Sequence, residues 1–202
     1  YASWRPIFDI SNNTITGLTS AGKQLTEIEI PSQIDNINIT SIQSNAFKDC
    51  TKLVKVTIPN SITTIGESAF YSCTSLEEIK LSNVLNKINK NMFYNCKSLN
   101  EIIIPESIKM VDTDAFYGCE NISIIKYDGN IVNWCAINFI NMYSIPTGYS
   151  LYRTSVRKFY IKNTNTSYEE ILTLQIPEEV SKINNYCFYG FNNMWNNGDR
   201  WL

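Results

Sequence analysis

The sequence predicts an α/β repeat solenoid, a right-handed coil of short parallel strands joined by short turn or helical segments. Three observations predict it. Cys50, Cys73, Cys96 and Cys119 fall 23 residues apart, and so do Phe47, Phe70, Phe93 and Phe116. Around them a nine-position apolar pattern runs three times in succession, from Leu53 to Cys73, Leu76 to Cys96 and Leu99 to Cys119. Each copy holds a short alternating run, such as Leu53-x-x-Val56-x-Ile58 closed by Pro59. A fixed period of this length marks units that cannot bury their apolar side alone and stack to share a core.

Each element follows from its residues. Alternation over Val56 and Ile58 makes a strand with one buried face. Pro59 has no N–H and ends the ladder. Ile62 and Ile65 turn inward on the return path, and Ala69-Phe70-x-x-Cys73 closes the coil as a tight or single-turn helical segment. Equivalent strands then lie parallel, ~4.8 Å apart, and six to seven coils give a rod roughly 30 Å long. The whole chain, 1–202, is one domain: a cap over 1–24, repeats one to five over 25–142, an irregular insertion or hairpin over 143–168, and a last repeat with the C-terminal end over 169–202. The first copy takes about five extra residues near Asp35–Ile39, and the fifth keeps register with Ile122, Ile125, Tyr127, Ile131, Trp134 and Phe139.

Composition narrows the function. Apolar residues at 44% and charged residues at 18% read as an ordered globule. A net charge of −2 with mixed signs offers no basic face to nucleic acid. No apolar run is long enough to insert in a membrane as a helix. Tyr1–Pro6 shows neither a signal peptide nor an initiator Met, so the chain reads as mature or excised. The absence of His removes Ser-His-Asp and Cys-His catalysis and His-ligated zinc together.

The run Leu-x-x-Ile-x-Ile-Pro-x-x-Ile-x-x-Ile-x-x-x-Ala-Phe-x-x-Cys resembles the BspA-type leucine-rich repeat, and the resemblance runs from about Phe8 to Phe191. Tyr127-Asp128-Gly129 with Trp134, Ile137 and Phe139 resembles an aromatic variant of that repeat, followed there by a hairpin such as Phe159-Tyr160-Ile161 would begin. Phe8-Asp9-Ile10 to Gly17-Leu18 is similar to the strand-rich start of the family. The resemblance implies extracellular or cell-surface display and binding of a protein or glycoprotein. It implies no cofactor and carries over no catalytic residue. Ser82, Met92, Cys187 and the loop Lys162–Glu170 depart from the pattern.

Cysteines 23 apart are too far along the chain for close-pair zinc motifs, and repeat spacing sets them in one internal column as small reduced hydrophobes. Parallel neighbours one strand apart suit a disulfide poorly. Cys135 and Cys187 lie off that column, Cys187 in the Ala slot of its copy. The Phe column is core. Tyr71, Tyr94, Tyr117 and Tyr189 each follow a column Phe and form a half-exposed stripe. Asp112 with Asp114 sits at a turn, and Glu169 with Glu170 opens a strand; these are the carboxylates a polysaccharide-acting enzyme would need. Asn12, Asn38, Asn121 and Asn165 begin glycosylation sequons.

The same alternation exposes Lys55 and Thr57, with Glu27 and Glu78 beside Lys55. It also brings Ile103 and Ile124 onto adjacent rungs, rimmed by Glu101 and Lys126, with Lys80 one coil earlier. Two aliphatics inside a polar edge suit a partner-binding spot, unless Tyr143–Tyr168 folds back over them. The expected function is a non-enzymatic recognition or adhesion module. The alternatives are a structural spacer or stalk, and the carboxylate enzyme.

Overall fold

The computed structural model describes residues 7–147, 157–162 and 167–191. Phe8–Ser11 and Thr14–Leu18 form an antiparallel hairpin with a bulge between Asp9 and Ile10. From there the chain makes about five turns of a solenoid. On one face Glu27–Glu29, Lys55–Thr57 and Glu78–Lys80 run parallel. The same face continues as Glu101–Ile104, Ile124–Tyr127 and Lys158–Lys162, again parallel. On the return face Thr14–Leu18, Ser41–Ile42 and Thr64–Ile65 stack, followed by Lys87–Ile88, Met110–Val111 and Asn138–Phe139. The register is the one the repeat dictates: Lys55 lies opposite Glu78 and Val56 opposite Ile79. The extra residues of the first copy fold as a small hairpin, Gln33–Ile34 against Ile37–Asn38, turned through Asp35 and Asn36 at positive φ. Leu25, expected to open the first copy's core, is exposed.

The third wall corrects the helical half of the expectation. Ala-Phe-x-x-Cys is a turn, not a helix. Two residues four apart take positive φ in each of the first four coils: Asn45 and Asp49, Ser68 and Ser72, Asn91 and Asn95, Asp114 and Gly118. A left-handed residue stops helical bonding, and Asn, Asp and Gly tolerate it best. The N–H groups so released reach the next coil. Phe47 donates to the carbonyl of Ala69, Phe70 to Met92, Phe93 to Ala115 and Phe116 to Tyr143. Among the described residues the helical elements are the five-residue α-helix Ile131–Cys135, whose N-cap Asn130 accepts from the Asn133 N–H, and a 3-10 turn at Gly22–Gln24.

Inside the wall the Phe47, Phe70, Phe93 and Phe116 rings stack at 5.0, 5.8 and 5.3 Å and are fully buried. The half-buried rings of Tyr71, Tyr94 and Tyr117 stack beside them at 4.8 and 4.7 Å. The cysteine column fills the remaining space. Cys73 donates its S–H to the Phe47 carbonyl at 3.0 Å, Cys96 to Phe70 at 3.2 Å and Cys119 to Phe93 at 3.0 Å. A thiol is small and apolar yet still offers a weak donor, which suits this slot. Burial pushes the thiols of Cys73, Cys96 and Cys119 well above their ordinary value, and all six cysteines are free.

Later coils change residues but keep the core. Trp134 takes the centre of the fifth coil, its ring 5.2 Å from Tyr127, 5.4 Å from Phe139 and 4.7 Å from Phe159. The last coil keeps the turn, with Tyr186 and Gly190 at positive φ. Its residues 171–183 form no strand, and Leu174, Ile176 and Val180 are only partly buried. Glu169 and Glu170 do not open a strand. They close Tyr168–Glu170, which returns antiparallel beside Lys158–Lys162, as a short hairpin connection requires.

Candidate functional site

Alternation sends Ile28, Val56, Ile79, Ile102 and Ile125 into the core, so their sequence neighbours point outward. The early rungs carry charge. Lys55 Nζ lies 2.9 Å from Glu78 Oε2 and its residue is registered against Glu27 on the other side. The hydrogen bond to Glu78, then the charges of Glu78 and Glu27, raise the Lys55 ammonium above its ordinary value. Both side chains are well exposed, so the pair contributes little to stability.

Ile103 and Ile124 do lie on neighbouring strands, but on a diagonal. Ile103 is opposite Lys126, and Ile124 is opposite Glu101 on one side and Lys158 on the other. Both are half-buried. Lys126 Nζ is 2.7 Å from Glu101 Oε1 and 5.4 Å from the centre of the Tyr168 ring. The Tyr168 hydroxyl donates to Asp128 Oδ1 at 2.6 Å, and Lys162 Nζ lies 3.4 Å from the same oxygen. Partial burial, then the bond to Asp128, push the Tyr168 phenol up. Within its described part, the segment after Tyr143 therefore extends this face as a further rung and lays one ring back over Lys126. Residues 148–156 and 163–166 of the expected cover, with the Asn165 sequon, lie outside the described residues.

A groove joins part of this set. Ladder bonding stops between Glu78–Lys80 and Glu101–Ile104, and on the return face between Thr64–Ile65 and Lys87–Ile88. Both breaks border the third coil, which carries Ser82 where its neighbours have Pro. Ser82 is buried and its hydroxyl donates to the Ile62 carbonyl at 2.7 Å. Elsewhere the return face bonds through the main chain, Gly66 N–H to Ile42, Asp112 N–H to Ile88 and Ile140 N–H to Val111. At the break, the Asn89 side-chain amide donates to the Ile65 carbonyl instead, at 2.6 Å. In front of the first break lies a cavity of about 620 Å³, lined by Glu78, Lys80, Asn83, Glu101, Ile103 and Tyr168 among others. Of the expected site residues, Lys80, Glu101 and Ile103 line it; Ile124 and Lys126 stand outside the lining. Asn83 and Tyr168 were not anticipated, and the only trace of the groove in the sequence is the third coil's departure at Ser82.

Three groove carboxylates already hold an ammonium partner: Glu78 with Lys55, Glu101 with Lys126 and Asp128 with Lys162. The wall thus mixes paired charges with an apolar lining from Ile79, Leu81, Ile103 and Pro105. Three of the four carboxylates singled out elsewhere are also engaged, and Glu169 is exposed. Asp112 pairs with Lys87 at 2.6 Å, Asp114 accepts from the Asn141 amide at 2.7 Å, and Glu170 accepts from the Tyr160 hydroxyl at 3.1 Å. Among the described residues no group of His, Cys, Asp or Glu is arranged to hold a metal, and no helix is long and apolar enough to cross a membrane.

No curated protein matches the chain. Among solved structures it is similar to a leucine rich cell surface protein from Faecalibacterium prausnitzii A2-165, at 26% identity and a TM-score of 0.54 over 64% of this chain. The chain spans 40% of that protein's length. A leucine-rich repeat protein from Bacteroides capillosus shares 30% identity at a TM-score of 0.53, over 61% of this chain and 95% of its own. A leucine-rich repeat protein from Eubacterium ventriosum, at 18% identity and a TM-score of 0.53, matches 91% of this chain and 55% of its own, a likeness of fold alone. The repeat described as the BspA type leucine rich repeat region matches in six copies over residues 13–146 and 159–196, and the chain belongs to that family.

Proposed function

We propose that the chain is a non-enzymatic recognition module that binds a protein or glycoprotein at a cell surface or outside the cell. The groove beside Lys80, Glu101 and Ile103 carries the proposal. It is a concave site that combines charged and aliphatic side chains with an aromatic wall at Tyr168, on a face otherwise made of parallel strands. Interfaces combine a small apolar centre with a polar rim and favour Tyr. Ile124 and Lys126 extend the contact beyond the groove along the fourth and fifth coils. The similar Faecalibacterium prausnitzii protein is a cell surface protein, which supports the location.

The test is surface plasmon resonance of the chain against a panel of purified extracellular-matrix and cell-surface glycoproteins. For any member bound by the wild type, Lys80→Glu with Ile103→Lys is expected to weaken binding at least about tenfold, the loss of one well-placed contact. Tm is expected to fall only slightly, because Lys80 is exposed and Ile103 half-buried. Unchanged binding by the folded double variant would place the site elsewhere. A chain that binds no member of the panel while holding its fold would favour a spacer.

A further inference from the structure

The cysteine column accounts for four of the six thiols. Cys135 and Cys187 remain. In the last copy Phe191 occupies the column slot, and the cysteine stands four residues earlier, where other copies place Ala46, Ala69 and Ala115. That shift takes Cys187 away from the Phe-column carbonyls and sets it against the C-terminal end of the helix Ile131–Cys135. Three hydrogen bonds fix the two stretches of chain there. Trp134 Nε1 donates to the Cys187 carbonyl at 2.9 Å, and the Asn184 N–H donates to the Cys135 carbonyl at 3.0 Å. The Asn184 side-chain amide donates to the Ala136 carbonyl at 2.8 Å. Both cysteines are buried at this join, on the two stretches of chain that these bonds hold together. The column thiols, by contrast, are each turned to a backbone carbonyl.

We propose that Cys135 and Cys187 are a disulfide site that locks the last coil onto the helix of the fifth. The oxidant is a small-molecule disulfide, RSSR. The Cys135 thiolate attacks one sulfur of RSSR and expels RS⁻, which takes up the proton Cys135 gave away. Cys187 then loses its proton and attacks the Cys135 sulfur, and the second RS⁻ leaves as RSH. Two protein thiols lose two electrons and two protons, and one RSSR becomes two RSH. The order of attack follows from the effect each thiol has on the other. The neighbouring Cys187 side chain holds the Cys135 thiol below its ordinary value against the opposing effect of burial. The neighbouring Cys135 side chain, with burial acting the same way, pushes the Cys187 thiol up.

The last coil is where such a lock has most effect. Residues 171–183 add no strand to the ladder, and Leu172 and Ile183 are exposed. Weakly held segments open locally, and that opening admits the oxidant to a buried pair. Once formed, the bond closes a long loop, which restricts the unfolded chain.

The experiment treats the full chain with oxidised glutathione or with dithiothreitol, then maps unreduced peptides by mass spectrometry and records thermal melts. The oxidised sample is expected to show Cys135 linked to Cys187 and a Tm about 5 °C higher than the reduced one. Cys187→Ala, which restores the residue of the other copies, is expected to abolish both the link and the redox difference in Tm with an unchanged far-UV spectrum. A glutathione adduct without the link, a link between two column cysteines, or a link that leaves Tm unmoved would overturn the proposal.

Discussion

The turn wall and the strand faces belong to the same coils, yet they keep the period differently. On the turn wall the inter-coil bonding is unbroken, Phe47 to Ala69, Phe70 to Met92, Phe93 to Ala115 and Phe116 to Tyr143. It survives Met92 in an Ala slot and Tyr143 in a divergent coil. On the strand faces the ladders part at the third coil. The difference lies in how many jobs each residue has. On the turn wall the positive-φ residues and the buried column Phe residues each send an N–H to the next coil, so a change at either disturbs both packing and bonding. An outward strand residue answers only to solvent and its neighbours.

The largest effect is expected on the wall. Phe93 lies between Phe70 and Phe116 and is fully buried. Phe93→Ala is expected to cost ~3–5 kcal/mol in urea unfolding, the range for large core truncations. Tyr94→Ala removes a half-buried ring stacked on Tyr71 and Tyr117 and is expected to cost about 1 kcal/mol. Equal losses would mean that the two sides of the wall are not distinct as described.

The columns were legible in the sequence because Phe, Cys and the paired turn residues solve one packing problem every 23 residues. The strand register followed from alternation, and with it the Lys55–Glu78 pair. Of the tight or single-turn helical segment expected at Ala-Phe-x-x-Cys, the tight turn is what forms. Asn45 with Asp49, Asn91 with Asn95 and Asp114 with Gly118 were visible left-handed formers, and they argue against a helix. The groove was not legible, since it depends on the break in the ladder beside the third coil and on Tyr168 reaching across two strands. Nor was the meeting of Cys135 with Cys187, because the segment between them breaks the period that would have aligned them. Ile103 and Ile124 were placed on the correct face, but their diagonal offset follows from pairing register rather than from alternation.

A smaller effect is expected at the break itself. Asn89 supplies by its side chain the bond that the main chain supplies in neighbouring coils. Asn89→Ala leaves the Ile65 carbonyl without that donor and is expected to cost ~1–2 kcal/mol in urea unfolding. Asn89→Asp, which turns an acceptor toward the carbonyl, is expected to cost more. An Asn89→Ala chain as stable as wild type would show that the third coil closes up and that the break is shallow.

The smallest effect concerns charge, and it separates a pair at the mouth of the turn wall from a pair on the strand face. Partial burial by itself would raise the Asp112 carboxyl. The Lys87 ammonium at 2.6 Å, with the Thr113 N–H and hydroxyl, outweighs it and holds Asp112 below its ordinary value. A carboxyl depressed in the folded state stabilises above its unfolded pKa, about 3.9, and loses that contribution as pH falls through the folded value. Asp112 is 21% and Lys87 35% exposed, so solvent screens the pair and its worth is expected to be about 0.5 kcal/mol. Asp112→Asn should therefore lower Tm slightly at neutral pH, and the gap from wild type should close as both are melted at progressively lower pH, below the ordinary carboxylate range. Lys55→Ala on the strand face should show no gap at any pH, because its pair with Glu78 is exposed on both sides. An Asp112→Asn gap that persists at the lowest pH would mean that Asp112 acts through its turn geometry and not its charge, and a Lys55→Ala gap of equal size would erase the distinction between wall and face.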